Sequence, residues 1–249
     1  MLGANVHNLK FKMKKLSFLA MCVMASLFVG CEQEQSSLEV GKNQAYVDLG
    51  LSVKWAKCNI GARRPVDEGS YFAWGEVNAK ETYTWANYKW CKGTPETLTK
   101  YCTHTEYGIL DTIRDKKGKL DTVLVLRPED DAATVNWGEQ WRMPTQEEMQ
   151  ELLDSCNWEP WTKFGVFGFS ITAKNEFYKD TLFLPFAGVM ITDSTTYLDV
   201  NSYYWSSTLL KSSPRNAYSL SYTAYQTGEL SVKPWDRCKG RSIRPVCSR

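Results

Sequence analysis

The stretch DDAATVNWGEQWRMPTQEEMQELLDSC, residues 130–156, carries the clearest local grammar in the chain. Thr145 followed by Glu148 has the spacing of a capping box, in which each side chain satisfies an orphan donor at a helix start. Pro144 precedes the cap, and Glu147 and Glu148 favour the positive end of the helix dipole. Met149, Leu152, Leu153 and Cys156 recur at i, i+3, i+4 and i+7, one apolar helix face. Upstream, Asp130 to Val135 reads as a second short helix, with Pro128 near its first turn and Gly138 past its end. Trp137, Trp141 and Met143 form a bulky apolar strap between the two.

Outward from this block the texture is that of strands. Val47, Leu49, Leu51, Val53 and Trp55 alternate with polar or small residues, a period of two. Tyr71 to Gly75 reads as a short buried strand. Asn78 to Thr105 reads as a long loop pinned by Trp85, Tyr88, Trp90 and Tyr101. Asp111 to Lys119 is a charged turn, and Thr122 to Leu126 is a strand candidate. Further strands are expected at Val166 to Ile171, Thr181 to Leu184, Tyr203 to Ser207, Ala217 to Thr223, Glu229 to Val232 and Arg241 to Val246. Strands before and after one helical block imply an α+β fold of antiparallel strands around two helices, not βαβ winding.

The chain has 30 Lys+Arg and 28 Asp+Glu, a formal charge of +2. Setting aside Lys10, Lys12, Lys14 and Lys15 in the first segment leaves 26 basic against 28 acidic residues, about −2. No basic run follows that segment, which argues against a nucleic-acid partner. Aromatic residues make up 13% of the chain, enough to fill a core and leave some for contact surfaces.

At the N-terminus, Lys14 and Lys15 precede the apolar run LSFLAMCVMASLFVG, which ends at Cys31. This resembles a bacterial lipoprotein signal peptide, with Leu27-Phe28-Val29-Gly30-Cys31 as the lipobox and Phe28 where leucine is usual. The resemblance implies a leader over residues 1–30 with its start at Met13, acylation of Cys31, and a polar tether over 31–45. The folded domain then spans 46–249. It also implies an outer-membrane lipoprotein, at the cell surface or facing the periplasm, and Glu32 and Glu34 resemble the acidic export signal of Bacteroidota surface lipoproteins. Six cysteines remain, at 58, 91, 102, 156, 238 and 247. An exported chain with that number is compatible with disulfides, Cys91–Cys102 and Cys238–Cys247 being the local pairs and Cys58–Cys247 a long-range one.

Seven blocks in order carry a second resemblance: VDLGLSVKWAKCNIGA (47–62), YFAWGE (71–76), DDAATVNWGEQWRMPTQEEMQELL (130–153), FLPFAG (183–188), YYWSST (203–208), NAYSL (216–220) and DRCKGRSIRPV (236–246). Together they resemble the Fibrobacter succinogenes major paralogous domain of Bacteroidota lipoproteins. That family is similar to the C-type lectin-like fold of formylglycine-generating enzymes and of the variable proteins of diversity-generating retroelements. The resemblance implies that Trp141 to Glu148 opens a central helix and that the strand Gly240 to Val246 returns beside the first strand.

The chemistry is sparse. His104 is the one near-neutral base after the leader, and a Cys102–His104 pair would require a reduced thiol. Cys238 and Cys247 invite comparison with the cysteines of formylglycine-generating enzymes, yet they flank a strand. Asp130 and Asp131, beside Glu129, are hard-oxygen groups that admit a calcium ion, the one cofactor considered. Helix-dipole stabilisation is the plainer role for both. From Tyr197 to Trp235, aromatic residues alternate with small polar and charged ones, a composition suited to recognition surfaces. Tyr203, Arg215, Asn216, Tyr222, Tyr225 and Trp235 are the candidate ligand-binding residues. Tyr204, Ala217 and Leu220 should face inward, with Tyr203, Arg215, Asn216 and Tyr222 outward. The expectation is a non-catalytic binding domain for a surface glycan, peptide or protein. An exported enzyme or a structural subunit of a surface assembly are the alternatives.

Overall fold

The computed structural model describes residues 45–114, 120–224 and 228–249. Cys31, the leader, nearly all of the tether and Tyr225 lie outside the described residues. The chain begins with β1 (Tyr46–Val47) and β2 (Val53–Ala56), paired antiparallel with Tyr46 opposite Ala56. Val47, Leu49, Leu51, Val53 and Trp55 are all buried, as their alternation predicts. Gly50, at φ +74°, turns the chain between the two short strands, a conformation that glycine adopts without steric cost. A hairpin of β3 (Thr112–Arg114) and β4 (Leu120–Thr122) follows, in place of the expected strand over 122–126.

The helical block forms as its sequence directs. Asp131 caps α1 (Ala132–Trp137), its Oδ1 accepting from the main-chain N–H of Ala133 at 2.8 Å and of Thr134 at 3.0 Å. Its Oδ2 accepts from Met143 N at 2.8 Å, which ties the cap to the tryptophan strap. After β5 (Trp141–Arg142), Thr145 and Glu148 close the reciprocal capping box of α2 (Gln146–Ser155), with Glu148 N to Thr145 Oγ1 at 3.2 Å and Thr145 N to Glu148 Oε2 at 2.8 Å. Glu148 also holds Arg142 in a two-pronged ion pair. Met149, Leu152 and Cys156 bury against Leu49, Ile171, Leu182 and Leu220. Each such aliphatic side chain contributes about 1.5–3 kcal/mol. Trp137, Trp141 and Met143 fill a second cluster with Trp74, Trp205 and Ile243.

A strand that the sequence pattern did not suggest comes next. β6 (Cys156–Lys163) pairs along its length with β7 (Val166–Ala173), which pairs with β8 (Thr181–Pro185). β6 is the edge of this sheet, where Pro160 need not donate to a ladder and where side chains stay solvated, so its sequence lacks a buried-strand signature. The hairpin of β9 (Val189–Ile191) and β10 (Ser194–Thr196) leads to a meander of β11 (Ser202–Leu209), β12 (Asn216–Thr223) and β13 (Glu229–Asp236). The last strand, β14 (Val246–Ser248), lies between β2 and β5 and pairs antiparallel with both. The last strand thus lies beside β2, the second half of the stretch from Val47 to Trp55 that reads as the first strand, and not beside β1. The final strand begins later than expected, because residues 241–245 form only isolated bridges, at Arg241 and Ser242, and single main-chain bonds from Ile60 N to Ile243 O and from Ala56 N to Pro245 O. The named strands pair antiparallel around two helices, an architecture between α+β and mostly β.

Residues 236–246 run through the interior and carry three arginines, Arg237, Arg241 and Arg244, all buried. Arg237 donates from Nη1 to the carbonyls of Tyr101 and Pro214, each at 2.9 Å, and from Nη2 to that of Lys100 at 2.7 Å. Arg244 donates from Nε to Asn59 Oδ1 at 2.7 Å and from Nη1 to the carbonyls of Ala56, Lys57 and Phe183 at 3.0–3.2 Å. It joins the end of β2 to β8. Substituting Arg244→Met removes every one of these donors and strands buried acceptors, so stability should fall by about 3 kcal/mol or more. Urea unfolding of wild type and variant measures this, and equal midpoints would show that Arg244 is not a keystone.

Candidate functional site

Three cavities of about 490–670 Å³ occur among the described residues, one of them a shallow one beside His104 and Lys211, and the other two compete for attention. The larger, about 670 Å³, lies beside the helical block and is lined by Leu126, Asp131, Thr134, Arg142 and Met143 among others. Its buried and half-buried charges are already committed. Asp131 serves three main-chain donors and Arg142 is held by Glu148. Asp130 accepts from Tyr101 Oη at 2.6 Å and pairs with Lys100 Nζ. Burial pushes the Asp131 carboxyl up, against the pull of its three main-chain donors. The adjacent carboxylates therefore act as separate structural hubs, and no cluster suited to a metal is present among the described residues.

The second cavity, about 490 Å³, is bounded by β9, the β11–β13 meander and residues 239–241. That volume falls in the range of small-ligand sites. The segment carrying Arg241 reaches it because Gly240 pairs with Met190 in both directions, N to O at 2.8 and 3.1 Å. A Cβ on Gly240 would lie 2.8 Å from Met190 Cβ and 2.9 Å from the Tyr83 ring, so glycine permits the approach. Thr192, Tyr197 and Asp199, in the adjoining loop, have φ of +59°, +62° and +58°. Left-handed backbone at such residues costs of order 1–3 kcal/mol each and clusters at functional sites. Tyr197 itself lines the cavity.

Three of the six candidate binding residues meet here: Tyr203, Asn216 and Trp235. Tyr203 is only 5% exposed, a correction to its expected outward position. Every residue of β11 is buried, because its alternate side chains pack into two different core clusters, Tyr204 with Leu49 and Leu220 and Trp205 with Trp74 and Ile243. Alternation cannot sort inward from outward on a strand covered on both faces. Tyr204, Ala217 and Leu220 are buried, as expected. Trp235 donates from Nε1 to Ser221 Oγ at 3.1 Å and meets the Tyr203 ring edge-on at 5.8 Å. Asn216 donates to Asp236 Oδ1 at 3.3 Å. Arg215 stands outside the lining and pairs with Asp236 at 3.4 Å. Tyr222 is half-buried and packs on Phe169 and Phe186, which removes it from the site.

Arg241 is the residue that pattern reading missed. Its guanidinium lies 4.7, 4.6 and 4.9 Å from the rings of Tyr203, Trp205 and Trp235 and donates from Nη1 to Ser219 Oγ at 2.7 Å. Burial pulls it down to about 9, so it stays charged at neutral pH. The available signal was an arginine in the stretch Arg241 to Val246, which reads as a strand near the end of the domain.

The thiols stand apart from this cavity, and all six described cysteines are free in this structure, in place of the disulfides considered. Cys102 donates its S–H to the His104 carbonyl at 3.1 Å, while the His104 ring contacts Thr103 Oγ1 at 2.8 Å. The imidazole is therefore not engaged with the thiol. Burial pushes up the thiols of Cys58, Cys102 and Cys247, that of Cys156 to about 11 and that of Cys238 to about 12. Comparison with protein-family models, with curated proteins and with solved structures found no match. The fold and site thus define, by geometry alone, an antiparallel β domain with an aromatic cavity over a buried cation.

Raised thiols react slowly, since the thiolate is the nucleophile. At pH 8 iodoacetamide should label Cys102, Cys156 and Cys238 only after denaturation, as read by peptide mass spectrometry. Rapid labelling of native Cys102, with a rate rising near neutral pH, would point instead to an activated nucleophile.

Proposed function

We propose that this chain is a lipid-anchored envelope protein whose domain binds a ligand without catalysis, using the cavity lined by Tyr203, Asn216, Trp235 and Arg241. The observation that carries the reading is convergence. Three side chains nominated by recognition-type composition, from separate strands, share one cavity of ligand-binding size with Tyr197 and Asn201. No histidine or cysteine lines it. Its one acidic group, Asp236, is paired with Arg215. Such a lining suits contact better than proton or group transfer.

The C-type lectin-like fold, and kinship with the Fibrobacter succinogenes major paralogous domain, belong to the same proposal. Supporting them are the position of β14 beside β2 and the capping box that opens α2 directly after Trp141-Arg142-Met143-Pro144. The lipobox at Cys31 supports the anchor. Several acyl chains, at about 0.8 kcal/mol per buried methylene, hold a protein firmly on a membrane. The outer membrane, at the cell surface or facing the periplasm, is the proposed residence.

Arrays of glycans and peptides probed with wild type should give binding that Trp235→Ala weakens at least tenfold. Phe177→Ala, at a residue 92% exposed and outside the cavity lining, serves as the control and should leave binding intact. Equal binding by the Trp235 variant would place recognition elsewhere. In a bacterial host, Cys31→Ser should abolish acyl incorporation and move the protein out of the membrane fraction. Membrane retention without acyl mass would refute the anchor.

A further inference from the structure

The fold accounts for two of the three interior arginines more fully than for the third. Arg237 has three main-chain acceptors, and Arg244 has four acceptors in all. Each of the three leaves one buried nitrogen without a partner, Arg237 Nε, Arg241 Nε and Arg244 Nη2, but Arg241 alone gives a single hydrogen bond, to a serine hydroxyl. It is 2% exposed and lines the cavity, and among the described residues it is in no ion pair. Three aromatic rings offset part of the cost of this buried cation, and its unfilled donors are left to take an acceptor that arrives from the cavity.

The surrounding charges point the same way. Lys239 also lines the cavity and is in no ion pair among the described residues. Asp236, the only lining carboxylate, is neutralised by Arg215 from outside the lining. Two cations therefore face the cavity against one compensated anion. Its walls offer the rings of Trp235, Tyr203 and Tyr197, to which the non-polar face of a ring-shaped ligand can stack. Asp236 Oδ1 takes both Arg215 and Asn216, whereas Oδ2 has no hydrogen-bond partner among the described residues. The ligand should therefore supply an anion for Arg241 and hydroxyl donors for Asp236 on one compact body.

We propose that the cavity receives a carboxylated sugar of an acidic glycan, its carboxylate toward Arg241 and Lys239, its apolar face on the aromatic wall and a hydroxyl on Asp236. This rests on the reading of the cavity as a recognition site and adds the class of ligand. A simple carboxylate, such as a peptide C-terminus, would satisfy Arg241 but offer Asp236 no hydroxyl.

The test uses the full chain in detergent, with glucuronate-, galacturonate- and sialate-ended oligosaccharides, the methyl ester of each, and short peptides with free C-termini. Titration calorimetry should show at least one acidic sugar bound tenfold or more tighter than its ester, as expected for loss of a charge-assisted hydrogen bond. Arg241→Gln should erase that difference and Lys239→Gln should reduce it severalfold, with thermal melting confirming that each variant folds. If Arg241→Gln does not fold, the ester comparison and Lys239→Gln decide. Equal binding of acid and ester, preference for peptide carboxylates, or no binding of any acidic sugar overturns the inference. Neutral or peptide binding that Trp235→Ala still abolishes would leave the recognition reading standing, whereas binding indifferent to Trp235→Ala would remove both.

Discussion

Burying positive charge without a carboxylate partner is the constraint on which this domain is built. Arg237, Arg241 and Arg244 lie in one eleven-residue stretch, and each is enclosed by protein. A buried guanidinium must find acceptors or aromatic faces, or it costs several kcal/mol. Arg237 finds the carbonyls of a long loop and stacks 5.4 and 5.2 Å from the Trp74 and Tyr88 rings. Arg244 finds those at the end of β2 and in β8. These bonds draw separate parts of the chain onto the terminal segment, and β14 emerges from it between β2 and β5.

The acidic residues show the complementary logic. Asp131, Glu148 and Asp130 are each consumed by structure: main-chain donors at one cap, a capping box with Arg142, and the Tyr101–Lys100 pair. Their polar capacity is spent on the fold. The cavity under β9 and the meander differs because its buried arginine gives only one hydrogen bond and its adjoining loop is strained at Thr192, Tyr197 and Asp199. An incompletely satisfied, well-supported surface suits a ligand.

Local signals were readable wherever one neighbour shell decided the outcome. The Thr145–Glu148 box, the apolar face of α2 and the alternation from Val47 to Trp55 each depend on contacts a few residues apart or on a single buried face. β6 escaped notice because an edge strand tolerates Pro160 and exposed side chains. Tyr203 was expected outward because alternation presumes one wet face, and β11 has none. The aromatic pins of the long loop were legible. Trp90 donates to Gly75 O at 2.7 Å and Tyr88 to Trp74 O at 2.6 Å, with no disulfide to help.

By itself the sequence determined two helices, one of them with its capping box, most strand positions and the aromatic and polar composition of the last third, since these follow from short-range periodicity and residue chemistry. Only the tertiary structure decided which of those residues share a cavity. Tyr203, Asn216 and Trp235 were joined to Arg241, while Tyr222 was drawn into the core. The physical reason is that burial of a charge depends on acceptors and rings contributed by distant segments, which no local pattern records.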